Sequence, residues 1–245
     1  MNKFNQRFSL VVPTYNEADN IRDFCSSVVD VLSKNSIDFE VIIVDDDSPD
    51  RTWEIAQKIS EKEKRIKVIR RVNKKGLATA VVEGWENAQG DILGVIDSDL
   101  QQPPETIPLL LDRLKDESVD IVIASRNTRD NLVSKRNIWR RFISSSGAFI
   151  CVFLLPKLAR LSDPMSGFFV LRKEVIRNKV LSPWGYKILL EVLVKGDYKK
   201  ISEVSYVFVE RKKGESKAGI KQFLISFFYF LKLGVESRRG LKSLR

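Results

Sequence analysis

The sequence predicts an α/β protein: a Rossmann-like, mainly parallel sheet with helices on both faces. Short apolar runs at residues 8–12, 39–44, 66–69, 92–96 and 120–124 alternate with segments of helical periodicity. Two of these runs end in acidic turns, Asp45-Asp46-Asp47 and Asp97-Ser98-Asp99. The 245 residues, 43% hydrophobic and 30% charged, suffice for one large domain with a sizeable core and exclude a disordered chain.

The first run closes at Pro13-Thr14-Tyr15-Asn16-Glu17, a loop that opens a helix through about residue 33. After the second run, Ser48 is expected to cap a helix with Pro49 at its first position, and Trp53, Ala56 and Ile59 form its apolar stripe. A short strand at 66–69 and a helix over 76–89 lead to the strand at 92–96. Pro103-Pro104 then forces a turn and starts a helix over about 105–115, before the strand at 120–124. Further on, a strand at 168–171, a helix at 186–195 and a strand at 201–209 are expected.

Asp97 and Asp99 therefore sit just past a buried strand, where open α/β sheets bind ligands. With the side-chain oxygen of Gln101 they offer hard donors to Mg²⁺ or Mn²⁺, ions held by one or two carboxylates plus substrate phosphates. A lone Asp-x-Asp is a weak signal, and Asp47 and Tyr15 also have plain structural uses as a helix cap and as core packing.

The net charge is +10 and there is no histidine, so any chemistry must do without the commonest general base. Basic residues crowd 126–141, among them Arg126, Arg140 and Arg141, and again 211–217. Such charge suits anionic membrane surfaces or phosphorylated substrates; no nucleic-acid motif is visible, so nucleic acid is not an expected partner. Cys25 and Cys151 suggest no disulfide framework and hence a reducing compartment, and no signal peptide is visible. Residues 147–155 and 223–235 are almost wholly apolar. At ~1.5 Å per residue the second stretch spans roughly 20 Å, against about 30 Å for a bilayer core. It is either a terminal helix packed on the domain or one lying in the membrane interface, followed by Arg238, Arg239, Lys242 and Arg245.

Val12-Pro13-Thr14-Tyr15-Asn16-Glu17, Asp45-Asp46-Asp47-Ser48-Pro49-Asp50, Asp97-Ser98-Asp99-Leu100-Gln101, Gln102-Pro103-Pro104-Glu105, Ser162-Asp163-Pro164-Met165-Ser166-Gly167 and Gly214-Glu215-Ser216-Lys217 occur in this order. Together they resemble glycosyltransferase family 2, of GT-A fold, and within it the branch of dolichol-phosphate mannose synthases and other polyprenyl-phosphate glycosyltransferases. The resemblance covers roughly residues 8–235. It implies metal-dependent, inverting transfer of a sugar to a dolichyl or polyprenyl phosphate, with mannose from GDP-mannose favoured over glucose from UDP-glucose. It implies Asp97, Asp99 and Gln101 as ligands of Mg²⁺ or Mn²⁺. Pro13, Thr14, Tyr15, Glu17, Asp45, Asp46 and Ser98 would form the nucleotide-sugar site, helped by Lys187, Arg211 and Lys217. Arg126, Arg140, Ser144 and Arg211 would hold the acceptor phosphate.

Many members carry transmembrane helices after the catalytic domain, and none is visible here. The resemblance is thus to short forms that sit on a membrane surface, at its cytoplasmic face, or rely on a membrane-anchoring partner subunit. Residues 1–217 would form the catalytic domain, with an apolar helix near 143–155, and residues 218–245 an apolar helix and basic tail. Two other functions stand beside this one. A family 2 transferase acting on a non-lipid acceptor would want a carboxylate base, for which Asp163 and Glu191 are candidates. A non-catalytic basic membrane- or nucleic-acid-binding module would leave the Asp97–Asp99 pair without a purpose.

Overall fold

The computed structural model describes residues 6–126, 161–183 and 186–209. The apolar stretches at 147–155 and 223–235 lie outside these residues, as do Cys151 and most of the arginine cluster.

Seven strands form one sheet: β1 (Phe8–Thr14), β2 (Phe39–Asp45), β3 (Ile66–Arg70), β4 (Ile92–Val95), β5 (Ile121–Arg126), β6 (Phe169–Arg172) and β7 (Ile201–Tyr206), in the order β3-β2-β1-β4-β6-β5-β7. Every pairing is parallel except those of β6, which runs antiparallel between β4 and β5. The helices are α1 (Ile21–Lys34), α2 (Thr52–Lys62), α3 (Leu77–Glu86), α4 (Ile107–Arg113) and α5 (Ile188–Lys195). The expected mainly parallel, helix-covered sheet is thus present among the described residues.

Side chains alternate across each strand, so one strand feeds two cores. Val11, Ile42 and Val44 pack with Ala78, Val81 and Trp85 of α3 and with Leu189 and Val192 of α5. Leu10, Val12 and Ile43 pack on the other face with Phe24, Val28 and Leu32 of α1, Ala56 of α2 and Leu110 of α4. Burial on both faces explains why these strands read as continuous apolar runs. Cys25 belongs to the second core, and burial pushes its thiol up to about 12, which leaves it inert.

Two local expectations are corrected. The helix after β2 starts at Thr52, not beside Ser48-Pro49, and its preceding residue is Arg51 in the left-handed region at φ 61°. Ser48 does not cap it: the Ser48 amide and hydroxyl both donate to the Asp45 carboxylate, at 2.8 and 2.7 Å. The oxygen that a helix N-terminus would have used as an acceptor instead accepts from the Asn16 amide, at 3.0 Å. The strand expected to reach residue 209 ends at Tyr206, and residues 207–209 turn across toward the β4 exit, where the Val209 amide donates to the Gln101 carbonyl at 3.0 Å.

The topology places the site. β1 has β2 on one side and β4 on the other, so the chain reverses its direction of winding between β1 and β4. In open α/β sheets the loops leaving the strands on either side of such a switch point diverge and form the binding crevice. Thr14, Asp45 and Asp97 stand at or just past the carboxyl ends of β1, β2 and β4.

The close fit of α3 on the sheet supports the crevice floor. A Cβ at Gly84 would lie 2.5 Å from Cγ1 of Val11 and 3.1 Å from Cγ2 of Val44. Gly84→Ala should therefore destabilise the fold by about 1–3 kcal/mol, despite alanine's better helix propensity. Thermal unfolding checks this: a melting temperature lowered by several degrees is expected, and an unchanged or raised one contradicts the packing.

Candidate active site

The turn after β4 carries the acidic pair. Its shape depends on Leu100, which sits in the left-handed region at φ 58°, a conformation that costs a branched side chain of order 1–3 kcal/mol. Inside the turn the Gln101 amide donates to Asp99 Oδ1 at 3.1 Å. Asp97 is clamped by the next glutamine. Gln102 Nε2 donates to Asp97 Oδ2 at 3.0 Å, and the Asp97 amide donates back to Gln102 Oε1 at 3.1 Å. Gln102 is itself buried, so this clamp is rigid. Sequence reasoning did not single out Gln102; Gln101, expected as a metal ligand through its side-chain oxygen, has its side-chain nitrogen turned toward the Val209 carbonyl at 3.4 Å. Two adjacent glutamines carry no signal to tell them apart; only the left-handed residue before them does.

Burial pushes the Asp97 carboxyl up to about 7, the charge of Asp99 and then of Glu17 adds to the push, and Lys187 and the Gln102 hydrogen bond oppose it. Asp97 Oδ1 takes no hydrogen bond among the described residues. A carboxylate held in place, crowded by a second carboxylate and with one oxygen unengaged among the described residues, has the donor chemistry for a hard divalent cation. Asp97 and Asp99 would hold it, with substrate oxygens completing the set.

Cationic residues face this pair. Arg126 ends β5 and Lys187 precedes α5. Lys187 Nζ donates to the Met165 carbonyl at 3.3 Å, and burial first, then the charge of Arg126, lower its affinity for a proton, against the pull of Asp163 and Asp97. Arg126 Nε donates to Asp163 Oδ2 at 2.9 Å. Asp97, Asp99, Arg126 and Lys187 are thus brought together at one end of the sheet.

The remaining expected residues fall around the β1 and β2 exits. Pro13 is buried in β1, and Ser98 is buried within its turn. Asp45 is fully buried, and its oxygens accept from Thr14 Oγ1 at 2.8 Å as well as from Ser48. Asp46 accepts from the Gly76 amide at 2.6 Å and pairs with the buried Arg71 guanidinium at 3.2 Å. Burial raises its carboxyl against the pull of both. Together these carboxylates knit the loops into a wall rather than standing open in the crevice. Tyr15 is half-buried on that wall, with Lys75 Nζ 5.3 Å from its ring centre, and the Glu17 amide donates to Thr52 Oγ1 at 2.9 Å. Arg140, Ser144, Arg211 and Lys217 lie outside the described residues.

Comparison with known proteins gives concordant findings. The model of the family "Glycosyl transferase family 2" matches residues 9–178. Dolichol-phosphate mannosyltransferase of Pyrococcus furiosus is 45% identical over 211 residues, 86% of this chain and 59% of that protein, so the chain spans less than two thirds of this relative's length. Dolichol-phosphate mannosyltransferase of Saccharomyces cerevisiae is 33% identical over 245 residues, 94% of this chain and 90% of the relative. Among solved structures, glucosyl-3-phosphoglycerate synthase of Mycobacterium tuberculosis, in complex with Mn²⁺, UDP and glucosyl-3-phosphoglycerate, superposes with a TM-score of 0.70 at 20% identity, covering 95% of this chain and 80% of that one. The same enzyme with Mg²⁺ and UDP gives 0.68 at 21% identity, covering 95% and 79%. At that identity the likeness is one of fold.

The raised Asp97 carboxyl sets the sign of a pH effect. The folded protein keeps a proton that the unfolded chain releases near 4, so this group's contribution to stability falls as pH rises from about 4 to about 7. A bound cation removes that cost, and a proton competes with it below about 7. Saturating Mn²⁺ should therefore raise the melting temperature more at about pH 8 than at about pH 5.5, measured by calorimetry. Equal shifts at both would place the metal elsewhere.

Proposed function

The chain belongs to glycosyl transferase family 2, and from that premise we propose that it moves a hexose, mannose from GDP-mannose, to the phosphate of a dolichol or polyprenol at a membrane surface. One observation carries the proposal: Asp97, with Asp99 beside it, lies in the electrostatic field of the cations Arg126 and Lys187 at the carboxyl ends of the strands. Carboxylates suit a donor that arrives with a divalent cation, and cations suit an acceptor that is itself an anion. The names of the relatives, dolichol-phosphate mannosyltransferases, support the choice of sugar and acceptor.

The acceptor also accounts for the missing histidine. A phosphate monoester has a second pKa of roughly 6, so near neutrality it is already a nucleophile and needs no base. The two carboxylates considered as bases are engaged elsewhere. Asp163 receives Arg126, and the fully buried Glu191 accepts from the Ser182 amide at 2.8 Å and pairs with Lys195 at 2.6 Å.

Asp97 and Asp99 would hold Mg²⁺ or Mn²⁺, which stabilises the negative charge of a departing nucleoside diphosphate as a Lewis acid. Gln102 fixes the Asp97 carboxylate, and the Leu100 turn presents Asp99 beside it. The wall of Thr14, Tyr15, Asp45 and Asp46 borders the nucleotide. Arg126 and Lys187 neutralise and orient the incoming phosphate, and Arg140, Ser144, Arg211 and Lys217 keep the roles that the family resemblance implies. Attack from the face opposite the leaving group inverts the anomeric centre. The lipid acceptor requires peripheral contact with a membrane, or a partner that supplies it; among the described residues no helix is long and apolar enough to cross a bilayer.

Radiolabelled GDP-mannose and UDP-glucose, each offered with Mn²⁺ and a short polyprenyl phosphate, test the proposal. Transfer of mannose to the lipid is expected, falling at least a hundredfold in Asp99→Ala, since a lost interaction of about 3 kcal/mol has that effect on rate. Transfer of glucose alone reassigns the donor. Metal-independent transfer, or none to lipid phosphate, contradicts the proposal.

A further inference from the structure

We infer that Asp163 is a positioning residue, one that holds the Arg126 guanidinium with its outer edge toward the acceptor phosphate. This rests on the acceptor proposed above and adds a residue to which only the role of an alternative base had been considered.

Arg126 Nε donates to Asp163 Oδ2 at 2.9 Å and Nη2 reaches Oδ1 at 3.5 Å, so the pair is made on the side edge of the guanidinium. A guanidinium has five N–H donors in a planar fork. With the side edge engaged, the edge formed by Nη1 and Nη2 has no partner among the described residues and offers parallel donors to two phosphate oxygens, the bidentate geometry that distinguishes arginine from lysine. The ring of Phe208, 5.9 Å from Arg126 Cζ, gives the group an apolar backing.

Asp163 can hold Arg126 only if it is held itself. The Glu203 carboxylate of β7 accepts from the Ser162 amide at 2.9 Å and from the Asp163 amide at 3.2 Å. Two residues beyond Pro164, Ser166 Oγ donates to the Ala124 carbonyl of β5 at 2.8 Å. The turn is thus fastened to the strand that carries Arg126 and to the strand beside it. The same turn receives Lys187 at the Met165 carbonyl, so one short segment orients both cations of the crevice. The ion pair is partly buried, with Asp163 at 12% and Arg126 at 33% side-chain exposure. That places it above the weak range of exposed pairs.

A double-mutant cycle tests this, reading acceptor kinetics and donor affinity on the full chain. Asp163→Ala should lower kcat/KM for a short polyprenyl phosphate by roughly ten- to a hundredfold, with the dissociation constant for nucleotide sugar within about twofold of wild type. Arg126→Ala should do the same. The double variant should fall no more than about threefold below Arg126→Ala alone, because Asp163 acts only through that arginine. Multiplying effects would overturn the inference, as an independent base or a structural role predicts. Asp163→Asn, which keeps an oxygen for Nε without the charge, should be intermediate, and it carries the cycle if the alanine variant does not fold. A wild type that does not transfer to lipid phosphate overturns the proposed acceptor and this role with it. A wild type that transfers while the cycle is additive overturns the role of Asp163 alone.

Discussion

Burial makes the charge on Asp97 expensive, and much of the described site answers that cost. The carboxyl lies at the end of a strand with helices over both faces, and burial and the neighbouring Asp99 push it up to about 7. Gln102 gives it one hydrogen bond, and Lys187 and Arg126 stand within its field. A divalent cation held by both carboxylates, as proposed, would offset the cost more fully than any of these. On the proposed function, an ion and its substrate would stabilise this site in its charged form.

The same logic orders the positive side. Arg126 and Lys187 are partly buried cations, and each needs an anion or an oriented carbonyl nearby. The turn 162–167 supplies both, through the Asp163 carboxylate and the Met165 carbonyl. It is tied to β5 by Ser166 and to β7 by Glu203, so sheet rigidity is passed to the cations. Gly167 then brings this turn against the acidic pair: a Cβ there would sit 3.4 Å from Asp97 Oδ2.

Much of this was legible in the sequence, and the remainder has definable causes. The apolar runs and their acidic ends were readable because strands buried on both faces need no alternation. Asp97, Asp99, Arg126 and Lys187, named from the resemblance, lie at one end of the sheet. The antiparallel direction of β6 was not readable, since Phe169–Arg172 has the same composition whichever way it runs. Ser48 looked like a cap because local pattern ignores the Asn16 amide, a donor 32 residues away that takes the same oxygen. Gln102 was hidden by its twin Gln101, and the pairing of Asp163 with Arg126 by a separation of 37 residues in the chain. In each case a long-range or backbone constraint decided what a local pattern left open.

The central claim is that Asp97 and Asp99 together hold the cation at the switch point between β1 and β4. Anomalous diffraction from crystals grown with Mn²⁺ and a nucleoside diphosphate tests it directly. The account predicts one strong manganese peak in contact with carboxylate oxygens of both residues and with the diphosphate, with Gln102 still bonded to Asp97. A manganese peak that touches neither carboxylate, or a diphosphate bound in this crevice with no manganese beside it, would contradict the account.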